Sequence, residues 1–91
     1  MSEYEFPETL IAAQRAYWAA DAHAQEVTDA LPSSIAVLAG EAEVSEEQRE
    51  RLAEARERRL EALEALNRHP WWATVDGRHA AWKALQQAAK A

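Results

Sequence analysis

Leu10, Ala13, Tyr17, Ala20, Ala24, Val27 and Leu31 recur at alternating intervals of three and four residues, and this run constrains the fold more than any other feature of the chain. Such spacing places all seven side chains along one stripe of an α-helix, as in a coiled-coil seam, whereas a strand would scatter them over both faces. Alanines separate the large residues, so a facing helix can approach closely at Ala13, Ala20 and Ala24. Ile11 and Trp18, seven apart, form a second apolar stripe on the adjacent flank, with Gln14 and Asp21 between the two. A helix over residues 7–31 is therefore expected to touch two neighbours, with hydrogen-bond partners needed for Gln14 and Asp21 at the junction.

The ends of that helix are written locally. Pro7 is tolerated in a first turn, Glu8 suits the positive end of the helix dipole, and Pro32 disfavours a helical Leu31. Ser34 is the expected cap of a short helix over 34–39 that carries Ile35, Val37 and Leu38 and stops at Gly40. The same run can extend, but a lone strand would have no pairing partner. Ser45-Glu46-Glu47-Gln48 reads as a capping box opening a long helix over 45–68. Its expected buried face is Leu52, Ala55, Leu60, Ala62, Leu63 and Leu66, and Glu47/Arg51, Glu54/Arg58 and Glu64/Arg68 stand i,i+4 in the favourable order. Beyond Asn67 the chain turns, Pro70 starts a short helix over 70–75, and Asp76 is the expected cap of a last helix over 77–90 with Ala81, Trp82, Leu85, Ala88 and Ala89 on one side. The expected fold is all-α: one domain over 1–91, with two long antiparallel helices, a short connecting helix and a C-terminal helix-turn-helix, in a three-helix-bundle-like arrangement.

Composition limits how much core this fold can hold. Of 44 hydrophobic residues among 91, 22 are alanine, which favours helix but buries little area. The bulky remainder is eight leucines, four valines, two isoleucines, one methionine and seven aromatics. That is thin for a self-sufficient monomer of this length, so self-association or burial against a partner is expected. Cysteine is absent, which removes disulfides and thiolate–metal sites as staples. The segment from Met1 to Pro7 has no basic stretch followed by an apolar run, and no apolar stretch approaches the ~20 residues of a membrane span, so a cytoplasmic protein without membrane contact is expected.

Charge is uneven. Residues 1–44 carry eight acids against Arg15, residues 45–69 seven acids against six arginines, and residues 70–91 Asp76 against Arg78, Lys83 and Lys90. Glutamates interleave the one arginine-rich stretch, which leaves no clustered cationic face for phosphates and argues against direct nucleic-acid binding.

Phe6-Pro7 followed by Leu10-Ile11-Ala12-Ala13-Gln14-Arg15-Ala16-Tyr17, a variable charged middle, and His69-Pro70-Trp71-Trp72 before an alanine-rich last helix resemble small alanine-rich helical proteins of streptomycetes and related actinobacteria. The resemblance covers both ends of the chain and is weaker over residues 32–50. It implies a cytoplasmic helical protein and supplies no activity and no catalytic residue.

The residues themselves indicate no reaction. The serines occupy turn and cap positions, Gly40 and Gly77 make no phosphate loop, and 16 acids scattered on exposed helical faces define no acid–base pair. No Glu-x-x-His or His-x-x-x-His pattern occurs; His69, Asp76 and His79 would converge only on a tight fold-back of the tryptophan turn, so neither metal nor cofactor is expected. The aromatics carry the functional expectation. Trp18, Trp71, Trp72 and Trp82 with Tyr17 are the candidate partner-binding residues, expected as a cluster where the first helix meets the C-terminal segment. Neighbours on a helix point about 100° apart, so only one of Trp71 and Trp72 is expected to face the core. The expected function is a non-catalytic protein-interaction or regulatory module, binding another protein or itself as a homodimer. The rival readings are an acidic decoy of a nucleic-acid-binding surface and a small-molecule binder with a tryptophan-lined pocket.

The seam makes a direct prediction. Ala20→Leu overpacks a close helix contact and lowers stability by ~1–3 kcal/mol, whereas Ala19→Leu, on the opposite face, changes it by less than ~0.5 kcal/mol. Thermal melts of the two variants check this, and equal losses would mean that the buried face lies elsewhere.

Overall fold

In the computed structural model, which describes residues 4–91, the chain is all-helical, and no strand occurs among the described residues. Residues 1–3 of the expected domain lie outside that range. The helices are α1 (Glu8–Asp29), α2 (Ser34–Leu38), α3 (Glu46–Asn67) and α4 (Arg78–Lys90), with a 3₁₀ turn at Pro70–Thr74 between the last two. No helix among the described residues is long and apolar enough to cross a membrane.

Helix α1 begins one residue later than expected because Pro7 is its cap: extended at ψ 147°, it accepts through its carbonyl from the Leu10 and Ile11 amides. It also ends two residues early, at Asp29, as Ala30 and Leu31 close a turn ahead of Pro32. At α2 the cap is Ser33, not Ser34. The Ser33 hydroxyl accepts from the Ala36 amide at 3.1 Å, since capping requires the residue just outside the helix to be extended and Ser34 is already helical. Its far end is a Schellman motif, in which the Glu41 amide donates to Ala36 and the Gly40 amide to Val37, and Gly40 takes the φ of +73° that this closure demands. The capping box of α3 is complete, Ser45 and Gln48 each satisfying the other's amide.

Helix α3 returns antiparallel along α1. Leu10 near the start of α1 shares the core with Leu66 near the end of α3, Asp21 meets Arg59 at 3.6 Å, and Val27 shares a groove with Gln48. Every member of the α1 seam is buried or half-buried, with Leu10 and Ala24 fully so. The facing seam of α3 runs through Gln48, Leu52, Ala55, Arg59, Ala62 and Leu66, again by threes and fours. Leu60 falls outside it and is 55% exposed, correcting its expected place on the buried face. The register of the 3-4 alternation selects Arg59, which reaches out to Asp21 and covers the seam with its stem. Of the three expected ion pairs on α3, Glu47–Arg51 (2.5 Å) and Glu64–Arg68 (3.9 Å) form, and Glu54 and Arg58 do not pair.

Helix α4 packs on the first turns of α1, running parallel to it. Ala81 and Leu85 are buried with Leu10, Gln86 Nε2 donates to Gln14 Oε1 at 2.5 Å, and Arg15 donates to the carbonyls of Ala89 and Ala91, satisfying the open end of the helix. Gln14 is thus the one buried polar side chain among the described residues, and it has its partner. The N-cap of α4 is Gly77; Asp76 makes no side-chain cap, contrary to expectation. The resulting body measures 55 × 21 × 20 Å, with a radius of gyration of 17.6 Å against about 12 Å for a compact domain of this length.

Because Gln14 is enclosed and bonded only across the α1–α4 contact, Gln14→Ala is expected to lower unfolding stability by about 2 kcal/mol through the cavity and the orphaned Gln86 amide. Gln86→Ala, at a half-buried position, costs roughly 1 kcal/mol. Urea titrations of both variants check the order.

Candidate functional site

The His69–Gly77 segment connects α3 to α4, and its geometry starts from a histidine. His69 Nδ1 accepts from the Trp71 amide at 3.1 Å, capping the 3₁₀ turn, while Nε2 stands 2.9 Å from Thr9 Oγ1 on α1. An accepting Nδ1 leaves the ring proton on Nε2, which therefore donates to Thr9. Pro70, at the first position of the turn, has the fixed φ that suits it and no amide to waste. Trp72 then turns inward. Its ring is buried, its Nε1 donates to the Leu66 carbonyl at 2.8 Å, and the Arg78 guanidinium lies 4.8 Å above its centroid while donating to the Asn67 carbonyl. The end of α3 and the start of α4 are thereby clamped to one indole.

Trp71 points elsewhere and is half-buried. Phe6 packs against it at 5.0 Å between centroids, Tyr4 meets it edge-on at 6.1 Å, and Trp72 lies edge-on at 5.4 Å. The aromatic cluster is therefore Tyr4, Phe6, Trp71 and Trp72, with Tyr17 packed against the adjoining core. The expected single cluster of Trp18, Trp71, Trp72, Trp82 and Tyr17 does not form. Trp18 sits half-buried farther along α1, and Trp82 lies on the outer face of α4, 45% exposed, stacked with His79 at 6.2 Å. Trp82 was expected beside Ala81 on the inner face, but one residue of helix is a rotation of about 100°, and the core takes Ala81, Leu85 and Ala89. Tyr4 and Phe6 escaped sequence reasoning because they precede the periodic run; two aromatics just before a helix-starting proline were the available signal.

The larger omission is α2. Ile35 is 79% and Leu38 88% exposed, on a five-residue helix held at both ends by its caps. A run of apolar residues too short to reach either long seam was the signal in the sequence. Three open grooves of the surface are lined by Glu8, Ile11, Ala12, Arg15 and Ala16 on α1, by Val27, Leu31, Gln48 and neighbours at the far end of the hairpin, and by Val37, Val44, Arg49 and neighbours beside α2. No tryptophan lines them. Among the described residues no three His, Asp or Glu side chains gather as metal ligands, and His69, Asp76 and His79 do not converge.

The chain belongs to the family DUF8825, a domain of unknown function, whose model matches residues 9–88 and so runs from the first turn of α1 to the last turn of α4. No curated protein and no solved structure matches the chain.

The three tryptophans of the C-terminal region are expected to separate by mutation. Trp72→Ala lowers stability by ~3–5 kcal/mol, Trp71→Ala by roughly 1–3 kcal/mol, and Trp82→Ala by less than ~0.5 kcal/mol. Denaturant melts of the three variants measure this, and a loss for Trp82→Ala as large as that for Trp72→Ala would contradict the assignment of the core face.

Proposed function

We propose that this member of the family is a small non-catalytic protein-interaction module, built as a three-helix-bundle-like scaffold closed by a helix-turn-helix and acting in the cytoplasm through contacts with another protein or a second copy of itself. The observation that carries this reading is the exposure of Ile35 and Leu38 on α2. Single exposed apolar residues are ordinary, but here two large ones project from a helix whose backbone is fully capped, so they cannot be withdrawn without breaking the Ser33 cap and the Gly40 closure. Rigid apolar groups at a rim are what partner surfaces bury at low entropic cost. Trp82 offers a second such group at the other end of the molecule. Trp71 and Trp72 serve the module as its internal clamp, and Tyr17 and Trp18 as supports of α1.

A second reading, the acidic decoy, is favoured by one feature: Glu41, Glu43, Glu46, Glu47 and Glu50 surround the same end of the hairpin with Arg49 and Arg51 as the nearby cations. A decoy would release a basic DNA-binding protein from DNA in a manner lost when these glutamates become glutamine and indifferent to Ile35 and Leu38.

The module reading is tested with Ile35→Glu/Leu38→Glu. Both positions are exposed, so the doubly substituted chain is expected to keep its helical circular dichroism and melting profile within ~0.5 kcal/mol per site. It is expected to lose, by at least roughly tenfold, binding to whichever protein the unaltered chain holds, measured with that protein purified or with labelled chain itself. Undiminished binding by the substituted chain would remove the assignment to α2.

A further inference from the structure

We infer that the surface bearing Ile35 and Leu38 receives the outer face of α4 from a second copy of this chain, giving an antiparallel two-fold dimer. This deepens the proposed function and rests on it, since it names the partner of the same exposed residues.

Three observations converge on this arrangement. The first is shape. Helix α4 has 13 residues against 22 in α1, about 20 Å against 33 Å at 1.5 Å per residue, and it starts beside Leu10 and ends beside Arg15. The molecule is therefore three helices thick at the Trp72 end and two helices thick at the α2 end. Two such wedges laid antiparallel fit thick against thin. The second is charge. Residues 26–51, which make the α2 end, carry seven acids against Arg49 and Arg51, whereas α4 carries Arg78, Lys83 and Lys90 and no acid, at an end that is neutral once the neighbouring residues of α1 and α3 are counted. Antiparallel stacking brings each acidic end beside the bases of α4, and parallel stacking would bring acid beside acid. The third is area. The accessible surface is 6764 Å², against about 5,300 Å² for a compact monomer of this mass. The surplus of about 1,500 Å², which comes with the elongated shape, leaves room for the roughly 800 Å² that each partner buries in a standard interface.

In this pairing Trp82, flanked by His79 and Lys83, is the apolar anchor on one copy, and Ile35 and Leu38 provide the apolar surface that covers it on the other. The two-fold axis repeats the contact at both ends, so the assembly closes at two copies; a single head-to-tail contact would propagate.

The absence of cysteine permits a direct test. Ser34→Cys places a thiol beside Leu38 without touching the Ser33 cap, and Lys83→Cys places one beside Trp82. Mixed under mild oxidation, the two variants are expected to form a covalent heterodimer, while neither cross-links with itself, because identical positions lie at opposite ends of the dimer. Sedimentation equilibrium of the full chain at on the order of 50 μM is expected to give the mass of two copies, and Trp82→Glu to weaken association at least roughly tenfold while leaving the helical circular dichroism intact. Self-cross-linking of Ser34→Cys, a dimer indifferent to Trp82→Glu, or a monomer at that concentration would each overturn the proposal. A monomer that still binds another protein through Ile35 and Leu38 would overturn the dimer and leave the module reading standing.

Discussion

The burial of Trp72 is the contact on which the rest of the structure depends. A 91-residue chain with few large apolar side chains has little with which to hold three helices together, and the indole joins all three at one point. It shares one buried cluster with Leu10 of α1, Leu66 of α3 and Ala81 and Leu85 of α4, and its N–H donates to the Leu66 carbonyl where α3 ends. Without that donor the Leu66 carbonyl would keep only the longer bond from the His69 amide, at 3.4 Å. The Arg78 guanidinium over the ring, bonded to the Asn67 carbonyl, ties the start of α4 to the end of α3. His69 fixes the approach, one ring nitrogen holding the turn and the other reaching back to α1.

Away from this point the fold is held by close approach more than by bulk. Ala24 and Ala55 are buried on the two facing helices, and small residues there let the backbones come near enough for dispersion contacts along the length of the hairpin. Such seams are narrow, and they explain the elongated body. Polar pairs supply what alanine cannot, namely a preference for one arrangement: Gln14 with Gln86 between α1 and α4, and Asp21 with Arg59 between α1 and α3. The first of these fixes the register of α4 on α1, because slippage would leave the Gln14 amide buried and unbonded.

The same economy of bulk shapes what the surface can do. With most large side chains committed at the Trp72 end, Ile35 and Leu38 at the other end have no core to enter, and their helix is nevertheless fully capped. A capped helix with outward apolar groups is ordered on its own, so a partner that bound it would not carry the cost of ordering it.

The helices were legible in the sequence because their signals are local. The 3-4 alternation from Leu10 to Leu31, the Ser45–Gln48 box, Pro70 and the inward-outward division of two adjacent tryptophans depend only on neighbours a turn or less away. What was not legible were choices between faces that are locally equivalent. Leu60 is as apolar as Leu63, and only the register against α1 puts Arg59 on the seam and leaves Leu60 outside. Trp82 is a better core residue than Ala81 by volume, yet Ala81 is the one that faces the Leu10 core and Trp82 stays 45% exposed. Tyr4 and Phe6 join the aromatic cluster from some 65 residues away, a distance no periodicity reports. Local patterning thus determined where this chain is helical, and the tertiary structure decided which side of each helix is used. Burial is a property of what stands opposite, and a helix carries no information about its neighbour until the two have packed.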